Sequence, residues 1–227
     1  GEGTLSYNWF FNDNPIANTG NSLKISKVEA ANSGDYYVVV SNEKMMKTSR
    51  SVTITIAGQA AYNGVRHWIP GKIENWKYDE GGAGLAYFDK EALNQANSNV
   101  RNDQVDIGSC SDAASDYAIG YNDTDDWLEY SVFVEKSGVY KIDARLTTAE
   151  STGKYVIQNE EGENISEITS VASTGSWDNW KTQTTGEFYL HKGNQVLRFY
   201  ITEEYFDICA MTFVLLKEDA GSTVDFT

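Results

Sequence analysis

Apolar and polar residues alternate with a period of two along most of this chain. The alternation is clearest in residues 23–28, 36–40, 52–56, 127–134, 139–146 and 196–201. Successive side chains of an extended strand point to opposite faces, so this period predicts strands with one face buried. Between them stand clusters that favour tight turns: Asn12-Asp13-Asn14-Pro15, Asn32-Ser33-Gly34, Lys136-Ser137-Gly138 and His191-Lys192-Gly193-Asn194. No stretch carries the period of a long amphipathic helix; residues 91–96 read as one helical turn, stopped by Asn97-Ser98-Asn99. Many short strands at this spacing predict an all-β chain folded as a sandwich or barrel.

Residues 57–61, Ala-Gly-Gln-Ala-Ala, are small and carry no hydrophobic pattern. The charge changes at the same place. Residues 1–57 hold 5 Lys/Arg and 5 Asp/Glu, whereas residues 58–227 hold 13 and 28, the whole of the net charge of −15. The pattern therefore predicts a first domain over residues 1–57, a linker over 58–61 and a second domain over 62–227. So acidic a second domain repels phosphate backbones and anionic lipid headgroups, which argues against nucleic acid and membrane partners. It also disfavours highly sulfated or uronate-rich glycans. The 14 Tyr and 6 Trp outnumber the 9 Phe, a bias toward rings that suit half-wet surfaces as well as cores. Cys110 and Cys209 form no CxxC or Cys/His cluster, so no zinc site is expected. One disulfide and two buried thiols both remain open. No apolar run reaches the ~18 residues of a membrane span.

In the first domain, Tyr7-Asn8-Trp9-Phe10-Phe11 runs into a turn, and Asn32-Ser33-Gly34-Asp35-Tyr36-Tyr37-Val38 is similar to the D-x-G-x-Y-x-C segment of immunoglobulin-like domains. The resemblance implies a partial immunoglobulin-like sandwich that begins at its third strand. It makes Trp9 the buried indole and Tyr36 the corner tyrosine that bonds back to the preceding backbone. Val38 stands where antibody domains place a cysteine. An open sheet edge, an exposed apolar strip and a spacer role are expected.

The second domain carries a longer set of motifs. They are Ile69-Pro70-Gly71-Lys72-Ile73-Glu74, the Gly-rich stretch of residues 78–89, Val100-Arg101 leading to Val105-Asp106-Ile107, Gly120-Tyr121, Asp126-Trp127-Leu128-Glu129-Tyr130, Thr174-Gly175-Ser176-Trp177 with Trp180, Leu197-Arg198-Phe199 and Tyr205-Phe206-Asp207. In this order and spacing they resemble family 6 carbohydrate-binding modules over about 150 residues, which implies a β-jelly-roll sandwich. The resemblance implies a sugar site among the loops at one edge, with Tyr121 and Trp177 as the gripping rings and Asp207 as the polar anchor. Tyr87 and Asp89 are expected at its rim.

The physical logic holds without the family. A pyranose has apolar C–H faces and a belt of hydroxyls, so flat rings cover the faces and short polar groups satisfy the belt. Hydrogen bonds exchanged with water are worth only ~1 kcal/mol each, so stacking carries much of the affinity. Trp177 follows Thr-Gly-Ser and reads as a turn residue, whereas Trp127 and Trp180 read as core. Asp207 replaces the family's asparagine; a carboxylate accepts but does not donate, which alters the hydroxyl pattern it selects.

The family's structural calcium uses positions that are here Glu74, Trp76 and Cys209. An indole and a thiol do not serve a hard cation, so no calcium and no other cofactor is expected, with Trp76 packing in its place. Catalysis is not expected either. Asp123, Asp125 and Asp126 crowd one turn, as do Glu160, Glu161 and Glu163, and no nucleophile elbow, P-loop or H-E-x-x-H occurs. The reading is a non-catalytic module of a secreted, bacterial, multi-domain glycoside hydrolase, joined to neighbouring domains of its parent. It would hold that parent on a polysaccharide, and the family resemblance suggests neutral plant or algal β-glycans. The alternative is a structural β-sandwich that has lost sugar binding, which requires Tyr121 and Trp177 to be covered.

Overall fold

The computed structural model describes residues 4–26, 30–56, 58–96 and 98–219. The chain divides into two compact units, Gly1–Gly58 and Gln59–Thr227. Among the described residues no helix is long and apolar enough to cross a membrane.

The first unit is one antiparallel sheet of β1 (Ser6–Phe11), β2 (Asn14–Ile16), β3 (Gly34–Ser41), β4 (Met46–Thr48) and β5 (Val52–Ile54), in the order β2-β1-β3-β4 with β5 also on β3. Asn12 and Asp13, both at positive φ (47° and 64°), form the two-residue turn between β1 and β2, the geometry whose twist matches a hairpin. Phe10 stacks on Tyr37 and Phe11 on Tyr36 across the β1–β3 pair, each at 4.8 Å. The Tyr36 hydroxyl donates to the Asn32 carbonyl at 2.9 Å. Two expectations fail here. Trp9 is only half-buried, with its indole N–H on the Gly20 carbonyl at 2.9 Å, because the described strands of this unit form a single sheet with no second one to cover it. The strand expected at residues 23–28 is absent from its described part, residues 23–26, while Lys27 and Val28 lie outside the described residues.

The second unit is a sandwich of two sheets. One contains β7 (Gly71–Glu74), β9 (Ile107–Ser109), β10 (Tyr117–Ile119), β12 (Gly138–Thr148), β15 (Ser176–Thr184), β16 (Phe188–Leu190) and β18 (Asp207–Glu218). The other contains β6 (His67–Ile69), β8 (Tyr87–Phe88), β11 (Trp127–Val134), β13 (Lys154–Gln158), β14 (Thr169–Ser170) and β17 (Gly193–Glu203). Alternation along the long strands fills the space between the sheets. Tyr140, Ile142, Ala144 and Leu146 of β12, Leu128, Tyr130 and Val132 of β11, and Leu197, Phe199 and Ile201 of β17 are all buried in one cluster. Each large apolar side chain there contributes ~1.5–3 kcal/mol on leaving water. No helix forms at residues 91–96, which run through bends and a turn.

The expected linker is not free. Ala60 and Glu80 exchange backbone hydrogen bonds at 2.9 and 2.7 Å, Gln59 donates to the Asp79 carboxylate at 2.9 Å, and Ala61 is buried. Small side chains without a pattern here mark close backbone packing rather than a tether.

Candidate functional site

One end of the second unit carries a hollow of about 630 Å³. Its walls come from the long loop that carries Glu91 and Gln95 and from three further segments that the topology brings together. The first is the loop after β10. Gly120 is followed by Tyr121 at φ 47°, a left-handed backbone conformation that costs a non-glycine residue ~1–2 kcal/mol and turns the ring out, 63% exposed. The next residue, Asn122, is buried and donates to the Phe206 carbonyl at 2.6 Å, tying this loop to the second segment.

That second segment is the turn into β18. Phe206 is driven into the core beside Tyr155 and Phe199. Tyr205, at φ 75°, is thrown outward and 54% exposed, while Asp207 opens β18 and reaches the hollow. Gly120 leaves room here: a Cβ on it would lie 2.6 Å from Asp207 Oδ1 and would displace that carboxylate. Strained aromatic positions around one concavity mark a place where packing has fixed a conformation the chain would not choose locally.

The third segment is the start of β15. Its ladder with β12 runs from Asp143↔Thr184 to Leu146↔Lys181, then resumes only at Thr148↔Ser176. Residues 177–180 therefore bulge out opposite Thr147 alone. Thr174 anchors the bulge, accepting from the Thr148 N–H at 2.9 Å. Trp177 projects from it into the hollow, 41% exposed. It is thus a strand residue in a bulge and not a turn residue.

Tyr121, Trp177 and Asp207 accordingly line one hollow. They also line an adjoining one of about 470 Å³, which Trp180 and Cys110 help to enclose. Trp180 was expected in the core. It instead packs half-buried on a small cluster of Ala118, Cys209 and Ala210, its N–H on Ser111 Oγ at 3.1 Å. Trp127 likewise leaves the main core, half-buried with the Arg198 guanidinium 4.1 Å above its ring.

Tyr87 and Asp89 do not form a rim. Tyr87 is 5% exposed, edge-on to Tyr78 at 5.6 Å. Asp89 is 7% exposed and accepts from the Glu91 N–H at 2.9 Å. The long loop folds inward because β8 pairs with β11 and carries both residues down. With Glu91 and Asp126, Asp89 offers three carboxylate oxygens within 4.8 Å of one another, a set that could hold a metal ion. Burial, then the neighbouring Asp126, pushes the Asp89 carboxyl up to about 7, and burial pushes Asp126 up to about 6.

The hollow has one electrostatic character. Glu91, Asp123, Glu204 and Asp207 line it, and no Lys, Arg or His does. Burial alone pushes the Asp207 carboxyl up to about 7. Sequence reasoning missed Tyr205, Gln95, Glu91 and Glu204 as lining residues. For Tyr205 the signal was present: the period of two at Tyr205-Phe206-Asp207 puts the outer two on the face opposite a buried Phe. For Glu91 and Gln95, on a loop without a pattern, no signal existed.

The residues at the expected calcium position do not fit that ion. The Glu74 carboxylate already accepts from the Trp76 indole at 3.0 Å, Lys77 Nζ at 3.0 Å and Ser115 Oγ at 3.2 Å. Burial raises the Glu74 carboxyl, and the Lys77 and Trp76 hydrogen bonds outweigh it and hold it below its ordinary value. Trp76 packs edge-on between Tyr62 and Tyr117 at 5.5 and 5.2 Å. Cys110 and Cys209 are free thiols that lie within hydrogen-bonding reach of each other, with Cys209 fully buried.

The chain matches the family model for carbohydrate binding module (family 6) over residues 95–214. Among solved structures, it is similar to the CBM6cm-2 module of Cellvibrio mixtus lichenase 5A in complex with cellotriose, at 16% identity and TM-score 0.51, covering 65% of this chain and 98% of that one. It is similar to CsCBM6-3 of Clostridium stercorarium in complex with cellobiose, at 15% identity and TM-score 0.51, covering 67% and 98%. The C-terminal CBM6 of LamC, a marine laminarinase of Zobellia galactanivorans, aligns at 24% identity and TM-score 0.49, covering 63% and 97%. No curated protein matches the chain. The fold of the second unit is the β-jelly-roll sandwich.

Proposed function

We propose a function from one premise: the chain belongs to carbohydrate binding module family 6. The second unit binds a pyranose of a polysaccharide in the hollow between Tyr121 and Trp177, with Asp207 accepting from the sugar hydroxyls. The observation that carries this is the exposure of two large rings, 63% and 41%, on the wall of one open concavity. Exposed aromatic surface is otherwise costly, and flat rings beside a few polar groups match the two kinds of surface a sugar presents. The same exposure counts against a sandwich that has lost sugar binding, since that reading requires both rings to be covered.

The task of such a unit is linkage rather than chemistry. By holding adjoining domains of a secreted glycan-degrading parent near their substrate, it raises the local concentration of chain ends and bonds. The first unit would serve as an immunoglobulin-like spacer. The Cellvibrio and Clostridium modules were solved with cellotriose and cellobiose, which supports β-linked glucans as the first ligands to try.

The test is a glycan array and affinity gels with the whole chain beside Trp177→Ala. Retention by at least one polysaccharide, lost in the variant while the melting temperature is kept, is the expected result. No retention on any glycan would leave the reading without support.

A further inference from the structure

The charge of the hollow carries the reading further. Four carboxylates line it, on three different segments: Glu91 on the long loop, Asp123 after β10, and Glu204 and Asp207 around the start of β18. Some acidic side chains elsewhere in the unit are held by cations. Glu74 meets Lys77, Asp112 meets Arg145, Glu129 meets Arg198 and Glu203 meets Lys154, all at 3.0 Å or less. Among the described residues, none of the four lining carboxylates is in an ion pair. Glu91 holds one oxygen buried with no hydrogen-bond partner. Asp207 is desolvated enough that its carboxyl is pushed up to about 7, and Gly120 clears the space its oxygen occupies. The site therefore gathers four acidic groups with no cationic partner beside three exposed rings, those of Tyr121, Trp177 and Tyr205, and a cation placed among them would draw the Asp207 carboxyl into its charged form.

We propose that this hollow selects a cationic glycan, one whose pyranose rings carry primary ammonium groups, over neutral and anionic glycans. This deepens the carbohydrate-binding reading and rests on it. An ammonium on a stacked sugar meets both features at once. It ion-pairs with the carboxylates, which are stronger partners in a partly dry site than in water. It is also attracted to the electron-rich faces of the rings. Neutral sugars gain only the stacking and neutral hydrogen bonds, and sulfated or uronate sugars meet repulsion from all four carboxylates.

The experiment is isothermal titration of the whole chain with three hexasaccharides: β-1,4-glucosamine, its N-acetylated counterpart and cellohexaose. The titrations run in chelator at about pH 7, near the value to which burial pushes the Asp207 carboxyl, so that an ammonium beside it favours its ionised form. The glucosamine hexamer is expected to bind at least tenfold tighter than either neutral hexamer at low salt, and the ratio should shrink at high salt. Asp207→Asn should bring the ratio toward one, and Glu204→Gln should lower it in part. Trp177→Ala should weaken the glucosamine hexamer, whereas hexalysine, a cation with no sugar face, should not compete.

Equal or tighter binding of a neutral hexamer would overturn the selectivity and leave the sugar site standing. A preference unchanged in Asp207→Asn and Glu204→Gln together, or matched by hexalysine, would assign the attraction to net charge and also overturn it. Binding of no hexasaccharide, with none retained on the glycan array, would instead remove the carbohydrate reading itself.

Discussion

Asp207→Asn tests whether the structure has placed a carboxyl where water cannot fully reach it. Asp207 opens β18 at the wall of the hollow, and burial is the cause that pushes its carboxyl from 3.8 up to about 7. At about pH 3 and below, the group is largely protonated in both the folded and unfolded chain and adds almost no penalty. Between the two values the unfolded chain has released the proton and the folded one still holds it, so stability falls as pH rises. Above about 7 the penalty is complete and constant.

The interval from 3.8 to about 7 corresponds to about 4 kcal/mol at ~1.4 kcal/mol per tenfold. Solvent in the open hollow reduces this to about 1–2 kcal/mol. Asparagine keeps the shape and removes the charge. Urea unfolding followed by tryptophan fluorescence should give coincident stabilities for the wild type and Asp207→Asn at about pH 3, and a variant more stable by about 1–2 kcal/mol at about pH 8. The same offset at both pH values, or a wild type that gains on the variant as pH rises, would refute a desolvated carboxyl at this position.

Trp177→Ala should weaken binding of the best glycan by about tenfold or more, the loss of ~1.4 kcal/mol of stacking, while unfolding stability changes by less than ~0.5 kcal/mol for an exposed position; calorimetry and urea melts read the two separately. Gly120→Ala sets a methyl 2.6 Å from Asp207 Oδ1, so it should cost roughly 1–3 kcal/mol of stability and lower sugar affinity, and a variant that binds and melts like the wild type would show that Asp207 is free to move. Trp76→Ala removes the ring that fills the space between Tyr62 and Tyr117, and a loss of about 3–5 kcal/mol in a urea melt is expected.

The strands with one buried face were legible in the sequence. The spans of β11 and β12 and the centre of β17 follow from alternation; along most of β12 burial tracks the parity of each position, whereas in β11 the polar Glu129 and Ser131 are buried as well. The ordered motifs likewise pointed to the family, and within it to Tyr121, Trp177 and Asp207, three residues far apart in the chain that line one hollow. Cys110 and Cys209 illustrate the limit. Their spacing left a bridge and a pair of thiols equally open, and only strand pairing set them side by side without joining them.

What the tertiary structure decided is everything that depends on which strand lies next to which. The four extra residues of β15 opposite Thr147 turn Trp177 outward and pull Trp180 out of the core. The pairing of β8 with β11 takes Tyr87 and Asp89 inside. The meeting of three distant segments puts Tyr205 and four carboxylates without a cationic partner around one hollow. A period of two records which face of its own strand a residue occupies. It carries no record of the partner strand's register, and that register fixes whether an aromatic ring ends in the interior or at the mouth of a cleft.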